Sequence, residues 1–188
     1  HALASLLTGG NMHRIDLFAD TSGACFTSNK TWLSRFVTVL SGYPFAAISS
    51  YGMFYLLLND KSQVLLYMLS GILLFNMLFW VRNKYGVLWL ILLLLLCGGA
   101  IYFNHSYFTF YFLFFLAALN LAETLWSCLY LVYLSLENPH QAGDAYALRE
   151  MTLLPAFVWA LVFLAFSLWM CTLCVNMLWH FDLINYIF

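Results

Sequence analysis

Glu123 lies near the middle of a thirty-residue apolar stretch, Tyr107–Leu136, that reads YFTFYFLFFLAALNLAETLWSCLYLVYLSL. A carboxylate at bilayer depth is costly unless it faces protein or water, so an acid in such a place is a functional pointer. Asn120, Glu123, Thr124 and Ser127 follow the spacing i, i+3, i+4, i+7 and share one helical face. Ala117 and Ala118 continue near that face one turn earlier. A face of small and polar residues is turned toward other helices. Two chemistries fit it. A desolvated carboxylate with a raised pKa can carry a proton or cation. Alternatively, a hydrogen-bonded Glu123 can join helices, with Asn76 and Asn176 as potential partners on other apolar stretches. No Lys or Arg lies inside the other spans to pair with it.

Cys171-Thr172-Leu173-Cys174 is the second constellation. Helical i, i+3 spacing brings the two sulfurs within reach, as a redox pair requires. Cysteine also packs well as a small apolar residue, and no outer loop supplies the exposed thiol that such an enzyme would need. The third set is His105, His180 and Asp182, with Asp60 on the same side. These can ligate zinc or copper, but their spacing matches no ligand pattern. No metal and no cofactor are expected. Nothing resembles a nucleotide loop, a nucleophile elbow or a zinc-hydrolase helix.

The elements that position these groups follow from composition. Of 188 residues, 64% are hydrophobic and 8% charged, against about 45–50% and about 25% in soluble domains. No soluble fold of this size hides that much apolar surface, so lipid is the solvent. The fold class expected is all-α: a polytopic helical bundle integral to the membrane, with about five spans and short loops. Residues 1–35 form a cytoplasmic or interfacial segment. Within it Leu3, Leu6 and Leu7, then Ile15, Leu17 and Phe18, suit short pieces on the membrane surface, and Gly9, Gly10 and Gly23 argue against one continuous helix. The opening HALASLLTGG has no basic n-region and is not read as a secretory signal.

The transmembrane domain is placed at 36–180, with spans at about 36–58, 63–81, 85–103, 107–136 and 152–179. The first is the weakest, holding Ser41, Gly42, Ser49, Ser50 and Gly52, and Pro44 should bend or break it. Pro155 falls in the first turn of the last, where proline is tolerated. The run Leu88–Leu96 suits a lipid-facing helix. Residues 137–151 read as a polar connection, and 181–188 as an aromatic interfacial tail. Trp32, Tyr85, Trp89, Trp179 and Tyr186 fall near span ends, as belt residues do. The sequons at Asn29 and Asn104 are not read as glycosylation sites.

Five spans put Arg14, Lys30, Arg35, Arg82, Lys84 and Arg149 on one side and Lys61 on the other. That bias predicts a cytoplasmic N-terminus and an outer C-terminus, in a plasma or inner membrane. A four-span alternative, with the first segment re-entrant or on the surface, splits the charges less cleanly. The partners expected are the bilayer and either further copies of the chain or other membrane subunits. A net charge of −1 offers nucleic acid no basic patch. Short loops and the absence of a catalytic constellation point to a non-enzymatic component of a larger membrane assembly. The alternatives are a small channel or ion-coupled transporter using Glu123, and a membrane thiol oxidoreductase using Cys171 and Cys174.

Overall fold

A computed structural model describes residues 1–18 and 23–181. Asp20, Asp182, Tyr186 and nearly all of the expected C-terminal tail lie outside the described residues. The chain is mostly helical. Its elements are α1 (Ala2–Leu7), β1 (Asn11–Leu17), β2 (Gly23–Ser28), α2 (Trp32–Leu58), α3 (Ser62–Phe79), α4 (Lys84–Phe103) and α5 (Ser106–Glu137). A 3-10 turn (Pro139–Gln141), α6 (Gly143–Met151) and α7 (Ala156–Trp179) follow. Four of these, α3, α4, α5 and α7, are long and apolar enough to cross a membrane. Helix α2 has the length, at 27 residues, but the serines and glycines of the expected first span keep it out of that set. It runs through Pro44 without a break. Helix α7 starts later than the sequence suggests: Pro155 is its N-cap, extended at φ −66 and ψ 151, and residues before a proline disfavour the helical region.

Two compact units make up the chain. One is His1–Thr38 with Lys61–Leu113; the other is Val39–Asp60 with the residues from Phe114 on. In the first, α3 and α4 form an antiparallel pair, with Gln63 at the start of one donating from Nε2 to Asn104 Oδ1 at the end of the other, 3.1 Å away. Leu65, Leu66, Leu90, Cys97 and Ala100 are buried, while Leu88, Trp89, Leu92, Leu95 and Leu96 are exposed. That exposed stripe is the surface a lipid-facing helix presents.

In the N-terminal segment, expected as short pieces, Leu3, Leu6 and Leu7 fall in α1, while Ile15 and Leu17 fall in a strand. Residues 11–28 form an antiparallel hairpin, with Asn11 opposite Ser28, Leu17 opposite Gly23, and a register shift between Met12 and Arg14. Apolar and polar residues fall on both faces of these short strands, so neither helical nor strand periodicity is legible in them. Arg14 lies over the Phe26 ring at 4.6 Å and pairs with Asp16 at 3.2 Å. The outer edge of β1 is also paired. Ile15 N donates to Trp80 O at 2.8 Å, and Arg82 N donates to Ile15 O at 3.4 Å. Asn83 then imitates a strand neighbour: its Oδ1 accepts from Leu17 N at 3.1 Å and its Nδ2 donates to Leu17 O. The α3–α4 turn therefore carries the hairpin. Gly86 allows it, since a Cβ there would lie 2.5 Å from Asn83 Oδ1 and 2.7 Å from Val81 Cγ1.

In the second unit the small residues Ala47, Ser50, Ala117, Ala160 and Ser167 are buried beside Phe54, Leu57 and Phe163. Such residues let helices approach closely where lipid removes the usual hydrophobic drive. Tyr43 stacks on Phe163 at 4.9 Å and Phe54 meets Phe114 edge-on at 5.5 Å. The connection 137–151, read as a polar loop, folds into the 3-10 turn and α6, whose Ala145 and Leu148 are buried.

Candidate active site

Helix α1 is a single good helix-forming run, ALASLL. Its end is fixed by two glycines. Gly9 takes a left-handed φ of +78, and Gly10 returns its N–H to Ser5 O at 2.8 Å. Gly10 packs so closely that a Cβ would sit 2.5 Å from both Asn29 Oδ1 and Ser5 Oγ, and 2.9 Å from Ser28 O. The short helix is thereby pressed against the end of β2 and the start of α2.

Between them lies a polar network built on Asn29. Its Oδ1 accepts from Ser5 Oγ at 2.9 Å, Ser34 Oγ at 3.1 Å and Thr38 Oγ1 at 3.4 Å. Thr8 Oγ1 meets Ser34 Oγ at 2.8 Å. Ser5, Ser34 and Thr38 are buried, at 0–3% exposure, so these hydroxyls need partners and have them. At the head of the network His1 Nδ1 lies 2.7 Å from Thr38 O. A carbonyl oxygen only accepts, so Nδ1 carries the proton there and Nε2 is the other ring nitrogen. Of the five histidines, His1 alone is not exposed.

Among the described carboxylates, only Asp16 and Asp144 are not exposed. Asp16 is ion-paired to Arg14. Asp144 sits in the first turn of α6, where a negative charge meets the helix dipole favourably. Sequence reasoning passed over both His1 and Asp144: one stood at the chain start, the other in an apparent loop. Burial, which no spacing reveals, is the signal that marks them.

The intramembrane constellation divides. Asn120 is the member that bonds across helices: Nδ2 donates to Ser50 Oγ at 2.8 Å and Ser49 Oγ at 3.0 Å, with Ala46 O at 3.4 Å. Thr124 is buried and returns its hydroxyl to Asn120 O at 2.7 Å. Ser127 is half-buried on the same helix, and Glu123 is exposed. Asn76 bonds to its own helix at Ile72 O, 2.7 Å away, and Asn176 is exposed on α7. Cys174 is buried and Cys171 half-buried, both as free thiols. His105 and His180 are exposed.

Fold and sites together define a helical integral membrane protein with four helices long and apolar enough to cross a membrane, and with His1 and Asp144 partly buried outside them. The chain belongs to the Peptidase M50B-like family, whose sequence profile matches residues 1–174. Neither the curated proteins nor the solved structures gave a match. The family is an integral membrane fold and points to a membrane-embedded protease of the site-2 type. This overturns the expectation of a non-enzymatic assembly component, and with it the channel or transporter and the thiol oxidoreductase. The family pattern is spread over 174 residues, so no local motif inside the spans carries it.

The family description implies a metallopeptidase. Catalytic zinc takes three protein ligands, and an H-E-x-x-H helix supplies two of them as imidazoles at i and i+4. Helix α1 carries one imidazole at its start. Among the described residues no three His, Cys, Asp or Glu side chains are grouped to hold a metal. They do not make up a catalytic zinc set.

Proposed function

We propose that this chain carries out membrane-embedded proteolysis of the site-2 type, hydrolysing a peptide bond in or beside a substrate's membrane-spanning segment. The observation that carries this reading is the family match over 174 of 188 residues. Hydrolysis adds a water oxygen to the carbonyl carbon and breaks the C–N bond. One water proton must leave and the departing amine must gain one. His1 is the group we assign to that proton transfer, because it is the one histidine held off solvent and its ring is oriented by Thr38. The turn at 82–84 and the connection 137–151 are proposed to face the cytoplasm, on the charge bias.

The test is cleavage of a single-span substrate, tagged at both ends, by the full-length protein in proteoliposomes. His1→Ala is expected to lower kcat about 100-fold or more, the range of acid–base groups. Unchanged cleavage by that variant would remove the residue assignment. Failure of the unaltered protein to cut any single-span substrate would remove the protease reading itself.

A further inference from the structure

The hairpin is held at the level where two apolar helices end. Strand β1 pairs with the turn between α3 and α4, both long and apolar enough to cross a membrane. Ile15 and Val81 are parallel partners there. Side chains alternate along a strand, so Ile15 and Val81 share one face while Arg14, Asp16 and Arg82 share the other. Exposure agrees: Val81 is buried, and Arg14 and Arg82 are exposed. Lys84, also exposed, opens α4 two residues on.

These three cations are only partly used within the protein. Arg14 gives Nε to Asp16 at 3.2 Å and lies over the Phe26 ring at 4.6 Å. Arg82 Nη2 donates to Phe79 O, the last carbonyl of α3, at 2.9 Å. Lys84 has no ion pair among the described residues. A guanidinium has five N–H donors and an ammonium three, so most of them are left for a ligand. Asp16, and Asp20 in the link between the strands, are the acids nearby in sequence, and three cations outnumber them. On the membrane side of the turn Leu78, Phe79, Tyr85, Leu88 and Trp89 are exposed. Cations at the ends of two spans, with open apolar surface one turn further in, suit an amphiphile with an anionic head and apolar tails.

We propose that Arg14, Arg82 and Lys84 bind the phosphodiester headgroup of an anionic membrane lipid, which bridges the hairpin and the α3–α4 turn. Free phosphate offers the cations the same oxygens but covers none of the apolar surface beside them, so the lipid is the occupant. On the orientation proposed above, the turn meets the cytoplasmic leaflet, whose surface potential is negative. The proposal does not depend on the proteolytic reading.

The experiment is native mass spectrometry of the full-length protein in detergent, titrated with dioleoylphosphatidylglycerol or with zwitterionic dioleoylphosphatidylcholine. The unaltered protein is expected to hold the phosphatidylglycerol more tightly. A cation at a membrane surface contributes about 1 kcal/mol, or about fivefold in affinity. Arg82→Gln combined with Lys84→Gln should therefore weaken phosphatidylglycerol binding about 25-fold, and adding Arg14→Gln should bring the loss to about 100-fold. Phosphatidylcholine binding should not change. Lys61→Gln, at the opposite end of α3, should bind both lipids as the unaltered protein does. If the triple variant does not fold, the double variant decides. Equal affinity of the unaltered protein for the two lipids overturns the proposal, as does unchanged phosphatidylglycerol binding in the double variant. An equal loss in Lys61→Gln overturns it too, because net charge alone would then account for the binding. Displacement of phosphatidylglycerol by inorganic phosphate at constant ionic strength would assign these cations to a free anion and overturn the lipid as occupant.

Discussion

Replacing Asn120 by leucine tests how this membrane domain is held together. The side chain donates from Nδ2 to two serine hydroxyls of α2, at 2.8 and 3.0 Å, and approaches Ala46 O at 3.4 Å. An amide nitrogen has two protons, so the two short contacts carry the energy. Interhelical hydrogen bonds inside membranes average about 0.6 kcal/mol and reach about 1.7 kcal/mol. Both serines also donate to Ala46 O, at 2.7 and 3.2 Å, so losing Asn120 leaves neither hydroxyl proton unpaired. Leucine has a similar volume, which keeps the cavity term small. The expected loss is about 1–2 kcal/mol. It is measured by detergent-driven unfolding of the full-length protein in bicelles. A double-mutant cycle with Ser50→Ala should return a coupling of about 0.6 kcal/mol. A coupling indistinguishable from zero would refute the reasoning, and so would a loss above about 4 kcal/mol, since that requires interactions other than these two bonds.

Three further outcomes are expected. Gly10→Ala forces a Cβ to within 2.9 Å of the Ser28 carbonyl and 2.5 Å of Asn29 Oδ1; overpacking of this kind costs about 1–3 kcal/mol, read as a lower Tm, with a drop in proteolysis as α1 is displaced. Asn83→Ala removes both contacts to the Leu17 backbone, so the Leu17 amide should lose its hydrogen-exchange protection while amides of α5 and α7 keep theirs. Glu123→Gln should change unfolding stability by less than about 0.5 kcal/mol and leave cleavage intact, because the carboxylate is exposed; a large loss of activity in a folded protein would return Glu123 to the site.

The sequence by itself determined the solvent and the secondary structure of most of the chain. With 64% of residues hydrophobic and apolar runs such as Leu88–Leu96, the chain has to satisfy its backbone inside helices, because lipid offers no hydrogen bonds. The small-residue helix faces were legible for the same reason, and so was the spacing that puts Asn120 on one face with Thr124. Tertiary structure decided what those positions do. Spacing put Glu123 and Asn120 together, yet Asn120 reaches α2 and Glu123 stays exposed, because a shared face is some 100° wide and the packing partner covers only part of it. The hairpin was hidden because short strands with both faces mixed carry no period, and the backbone of residues 80–83 that pairs with β1 is remote in sequence. His1 and Asp144 were hidden because burial is a property of neighbours. Ser5, Asn29, Ser34 and Thr38 are unremarkable polar residues until α1, β2 and α2 converge and leave their hydroxyls without water.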